Sequence, residues 1–218
     1  MKHIIRTFLF AGLPAVLPAV VLVGLVAACT SAPPAPEDAF YRLSPRADAP
    51  VIQAPLLKGV IEVDRFAASG SMANRPVLFV EPGSNAISEY HYHFWIEAPP
   101  ILLQNALVSY LRSAGIAERV VTPELRVSPD YTVRGRLMRL ETLVGDMPKG
   151  VAEFELSLRR ERDGALLVLG EYIGEVPSVR NGVKTDVVAI EQAANNAFRD
   201  FVADIQKNGV QGLGAQNK

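Results

Sequence analysis

Residues 152–164 read AEFELSLRRERDG. Ala152, Phe154, Leu156 and Leu158 alternate strictly with Glu153, Glu155, Ser157 and Arg159, which is the period of a strand with one buried and one solvated face. Asp163-Gly164 closes the stretch with a strong two-residue hairpin signal. Upstream, 131–143 forms a long strand that reaches 152 through a turn over Gly145 to Gly150, and downstream 165–176 returns. The spacing predicts a three-stranded antiparallel meander over 130–176.

Two helices flank this meander in the sequence. Pro99-Pro100 opens the first, since proline in the opening turn forfeits no helical hydrogen bond. Leu103, Leu107, Tyr110, Leu111 and Ala114 then share one face, and Gly115 is placed to cap it. Val187, Ile190, Ala194, Ala197, Phe198, Phe201 and Ile205 mark a longer amphipathic helix near the C-terminus. Before the first helix come strand-like stretches at 57–64, 76–80 and 86–95, and a short one follows it at 119–122. The first alternates except at Val60. The order is βββ-α-β-βββ-α. It predicts an α+β fold, a two-layer sandwich in which a mainly antiparallel mixed sheet carries two amphipathic helices on one face. The other sheet face is polar, so it is solvated or meets a partner.

The N-terminus is of a different kind. Lys2 and Arg6 precede an uncharged apolar run from Phe8 to Ala28, the layout of an export leader. Its length would also suit a membrane span. Pro14 and Pro18 interrupt it, however, and it ends in Val26-Ala27-Ala28 directly before Cys29, the only cysteine of the 218 residues. Small residues before a nucleophilic thiol fit leader cleavage between Ala28 and Cys29 and lipidation of Cys29. The reading divides the chain into a lipoprotein signal at 1–28, a lipidated and proline-rich tether at 29–55, a folded domain at 56–206 and a flexible tail at 207–218. Stable anchoring takes more than one acyl chain.

Removing Lys2 and Arg6 with the leader takes the formal charge from −1 to −3. A mildly acidic chain without a basic block argues against nucleic acid as a partner. Neither a phosphate-binding loop nor a dinucleotide fingerprint is present, and no Gly-x-Ser-x-Gly elbow occurs. His91 and His93, with Glu89, would share one face of a regular strand, but without a further ligand from another element they make a poor zinc set. No metal, cofactor or catalytic residue is expected. On the same strand Tyr90, Tyr92 and Phe94 alternate as a core face under the helices. The competing reading makes Tyr90, His91, His93 and Trp95 a candidate partner interface, because aromatic anchors concentrate binding energy.

The lipobox cysteine with its proline-rich spacer and Phe40-Tyr41-Arg42-Leu43 resembles one family, the ABC-type transport auxiliary lipoproteins. The tract Tyr90-His91-Tyr92-His93-Phe94-Trp95-Ile96-Glu97-Ala98-Pro99 running into the helix Leu102 to Leu111, and the closing strands and helix, extend the likeness over about residues 40–206. It implies a non-enzymatic, outer-membrane lipoprotein on the periplasmic side. Such a protein docks on the MCE-domain protein of an ABC system for intermembrane lipid transport and forms homo-oligomers. Thr30 is not the aspartate that commonly retains lipoproteins in the inner membrane. The alternative is a periplasmic lipoprotein that itself binds a lipid or other hydrophobic ligand.

Overall fold

The computed structural model describes residues 36–44, 54–179 and 182–214, with side chains placed as far as Asn208. The leader, Cys29, the spacer to Ala35, residues 45–53 and 180–181 and the last four residues lie outside the described residues. Eight strands and two helices follow in the order β1 (Ala39–Tyr41), β2 (Leu57–Val63), β3 (Pro76–Val80), β4 (Ile87–Trp95), α1 (Pro99–Ala114), β5 (Ala117–Val121), β6 (Tyr131–Leu143), β7 (Lys149–Arg160), β8 (Leu166–Pro177) and α2 (Val183–Gly214). The meander stands where alternation predicts it. Phe154, Leu156 and Leu158 are fully buried, and β7 pairs antiparallel with β6 and β8 along nearly its whole length.

The 13-residue β6 is the spine of the sheet. Its second edge is shared by two shorter strands. Parallel β2 pairs Ile61–Val63 with Tyr131–Val133, and parallel β3 pairs Leu78–Val80 with Glu141–Leu143. Between them Ala67 continues the ladder, its N–H donating to the Gly135 carbonyl and its carbonyl accepting from Leu137 N–H, both at 2.8 Å. From this fork β2 leads to β5, and β3 leads through antiparallel β4 to β1. The long ladders are therefore antiparallel, while the parallel pairings are short. The break in alternation at Val60 is a bulge: Gly59 has φ +95°, and Asp130 accepts from Val60 N–H through Oδ2 at 2.8 Å.

Both helices bury their apolar faces in one core with the inner sheet face. α1 ends at Gly115, whose left-handed backbone (φ 68°) brings its N–H to the Leu111 and Arg112 carbonyls. Gln104, buried on this helix, donates from Nε2 to the Val63 carbonyl at 2.8 Å, so no polar group is stranded there. α2 lies closer still to the sheet. At Gly150 and Gly174 any Cβ would collide with the backbone of Ala189–Ile190 and Ala193 respectively. The opposite face carries Arg134, Arg136, Glu153 and Glu155, joined by solvent-exposed ion pairs such as Arg134–Asp64 at 3.1 Å. Such pairs contribute little stability but keep the face wet. The chain is thus an α+β sandwich with its two helices on one side. No helix among the described residues is long and apolar enough to cross a membrane.

The seam between α2 and the sheet makes a direct prediction. Gly174→Ala should lower unfolding free energy by about 1–3 kcal/mol, the range of core overpacking. Gly170→Ala on the same strand should cost less, because its Cβ would meet only the far end of the Tyr172 side chain at 2.9 Å. Urea titration of both variants checks this; equal losses would contradict the close approach.

Candidate functional site

The strand carrying the predicted interface residues is irregular. Against β3, Pro76 pairs with Phe94 and Leu78 pairs with Glu89. Two steps on β3 therefore span five on β4, and three extra residues bulge out between Tyr90 and His93. The bulge shifts the inside–outside phase of everything after it. Trp95 consequently points inward and is 1 % exposed, a core residue. Its placement on an exposed partner face is corrected. The core reading of Tyr90, Tyr92 and Phe94 also needs correction. Tyr90 packs against the core, Phe94 is half-buried, and Tyr92 is 44 % exposed. His91 is exposed and His93 half-buried.

The inward residues of the bulge form a polar-aromatic cluster. β1 adds to β4 in parallel, pairing Ala39–Tyr41 with His93–Trp95. The Tyr41 and His93 rings stack at 5.8 Å, and the Tyr41 hydroxyl and His93 Nδ1 share a 2.8 Å hydrogen bond. Burial raises the Tyr41 pKa. Tyr90 packs on Phe79 with ring centres 4.5 Å apart and meets His93 edge-on at 5.8 Å. Burial pushes its phenol up to about 12, helped by the negative charge of Asp186 and a hydrogen bond to it. Asp186, in the first turn of α2, also accepts from the Ser178 hydroxyl at 2.6 Å. Nearby, Ser44 N–H donates to Glu191 of α2 at 2.9 Å. This cluster therefore ties the N-terminal segment to the sheet and to the last helix.

Asp186 had no part in the sequence reading, and Phe40-Tyr41 entered it as part of a family likeness but not as a strand. A three-residue strand is too short for a periodic signal, and the role of Asp186 depends on partners distant in the chain. The arrangement can bind and position, and its hydroxyl contacts, Tyr41 with His93 and Ser178 with Asp186, hold separate elements together. Among the described residues no group of three or more His, Cys, Asp or Glu is placed to hold a metal ion. Two open clefts flank the cluster's side of the sheet and the far edge. One, about 500 Å³, is lined by Arg42, Leu43, Ile96, Leu102 and Asn105 among others. The other, about 670 Å³, includes Lys58, Asp130, Arg160 and Glu161. Both mix charged and apolar walls.

No protein-family model matches the chain, and no curated protein matches it either. Among solved structures, a DUF330 protein from Xanthomonas campestris superposes with a TM-score of 0.69 at 17 % identity, over 81 % of this chain and 99 % of that one. An uncharacterized protein superposes with a TM-score of 0.61 at 16 % identity, over 78 % and 99 % of the two chains. These likenesses define the class of fold: the chain shares the α+β architecture of the DUF330 protein across nearly all of that protein's length.

The Tyr90–Asp186 contact has a titratable signature. A phenol raised from about 10 when unfolded to about 12 when folded stabilises the fold fully below the lower value, and that contribution is lost as pH rises through the upper one. The stability difference between the parent protein and Tyr90→Phe should therefore shrink between these pH values. Urea melts of both across that window check it; a constant difference would contradict the contact.

Proposed function

We propose that this chain is a lipoprotein anchored in the outer membrane through acylated Cys29, facing the periplasm. We propose further that it serves as the non-enzymatic docking component of an MCE-type ABC system for intermembrane lipid transport. The observation that carries the reading is the pairing of two sequence features: Val26-Ala27-Ala28-Cys29 with a proline-rich spacer, and the Tyr90–Pro99 tract leading into α1. The fold supports it by pairing the end of that tract with the N-terminal segment. β1, which lies within the tether, is a strand of the sheet rather than a loose end.

The docking surface moves in this proposal. Of Tyr90, His91, His93 and Trp95 only His91 is exposed, whereas the outer face around β8 is open. Among the described residues β8 pairs only with β7, leaving a 12-residue edge. Leu166, Leu169 and Ile173 stand more than half exposed along it. An open edge of that length with apolar side chains is a template for another chain. It suits a second copy in a homo-oligomer or the MCE partner, with Glu171 and Glu175 setting the polar rim.

Protein extracted from membranes in mild detergent should retain a periplasmic MCE-domain protein with no added cofactor. Recovery of no such protein under conditions that keep the complex would overturn the docking role. Ile173→Asp should weaken self-association or partner retention by about tenfold or more, the scale of one interface anchor. Sedimentation and pull-down together read this effect, and an unchanged result in both would remove β8 as the contact.

A further inference from the structure

We propose that the outward rim formed by β1 and the end of β4 rests on the surface of the lipid bilayer that holds Cys29. The proposal builds on the lipid-anchor reading and adds an orientation for the domain. Phe40 is 52 % exposed, Tyr92 44 % and Ile96 39 %. Half-buried Phe94 lies against Phe40 with ring centres 5.9 Å apart. Tyr92 stands out of the bulge itself, and beyond the bulge Phe94 and Ile96 lie on one side of the chain while Trp95 between them enters the core. Arg75 covers the Phe40 ring, its guanidinium carbon 5.3 Å from the ring centre. It is held there by Nε donating to the Trp95 carbonyl at 3.0 Å. Tyr92, an aromatic ring with one polar end, stands among apolar Phe40, Phe94 and Ile96 beside a planar cation, and such side chains settle at the headgroup level of a membrane.

Chain length identifies the bilayer as the occupant. From Cys29 to Asp38 is nine residue steps, which reach at most about 32 Å when fully extended. Ala39 then enters β1 directly, with Phe40 as the second residue of the strand. The rim is therefore the first part of the domain that the tether delivers to the membrane. The arm that ends in β5 joins β6 at Tyr131–Val133, ten residues along that strand from the Glu141–Leu143 pairing of the rim's arm, about 33 Å at the rise of a strand. Glu37 and Asp38 precede the rim, so the contact is aromatic and apolar rather than an attraction to anionic lipid. A zwitterionic membrane should suffice.

The test uses the mature, lipidated protein in phosphatidylcholine vesicles. Tyr92→Cys on the rim and Leu125→Cys on the turn before β6, 59 % exposed, each receive an environment-sensitive fluorophore; acylated Cys29 has no thiol to label. With a quencher on the lipid near headgroup depth, the label at 92 should lose more than half its emission and the label at 125 should keep nearly all of it. Phe40→Cys serves as a second rim position if Tyr92→Cys fails to fold. Equal quenching at rim and control, or none at the rim, would overturn the proposal. Shielding at 92 that grows with protein density, without quenching by lipid, would place a second copy on the rim and also overturn it. Flotation of the same samples separates the two readings: protein that floats with an unquenched rim keeps the anchor and loses the orientation. Protein that does not float loses both.

Discussion

Phe66 sits where Gly135 has no side chain. Its ring atoms come within 2.7 Å of the point a Cβ would occupy, so the middle of β6 accepts the aromatic only because that residue is glycine. From there a run of rings crosses the core. Phe66 meets Phe154 edge-on at 5.8 Å, Phe154 stacks on Phe198 of α2 at 5.2 Å, and Phe198 contacts Tyr110 of α1 at 5.7 Å. One glycine on the spine strand thus sets the seat for a stack that joins the fork, the meander and both helices. Each such pair contributes about 0.5–1.5 kcal/mol beyond its buried area. The fork also needs this seat, because Phe66 and Ala67 are the residues that carry the chain along β6 from the β2 pairing toward β3.

The arm beyond β3 carries the largest register break of the sheet. Three extra residues in β4 break its register, send Trp95 into the core and leave Tyr92 outside. Bulges of this kind re-aim side chains where a surface has a task. Here the re-aimed strand is also the one that receives β1, the strand through which the tether joins the sheet. The hydrogen bond between Tyr41 and His93, the contact of Tyr90 with Asp186 and the bond from Ser44 to Glu191 tie that junction to α2.

Much of the architecture was legible in the residues. Alternation in 152–158 marked β7 because one face is dry and the other carries paired charges, and the helix spacings marked α1 and α2 for the same reason. The bulge in β4 was not legible, since its size is set by Pro76 and Leu78 on the neighbouring strand and not by β4 itself. That single omission misplaced Trp95 and Tyr92. The parallel pairings on β6 escaped too, because nothing local to β2 or β3 names a partner so far along the chain. Gly150 reads as a turn residue in sequence; only the approach of α2 gives it and Gly174 their reason.

In the proposed reading a lipid anchor at Cys29 gives the domain its setting, with β1 as the strand that joins the tether to the sheet. Intact mass measurement of the protein extracted from membranes tests that setting most directly. The account predicts a chain that begins at Cys29 and carries the added mass of a diacylglyceryl group with its fatty acyl chains. A chain that still contains Met1–Ala28, or one that begins at Cys29 with an unmodified thiol, would contradict it.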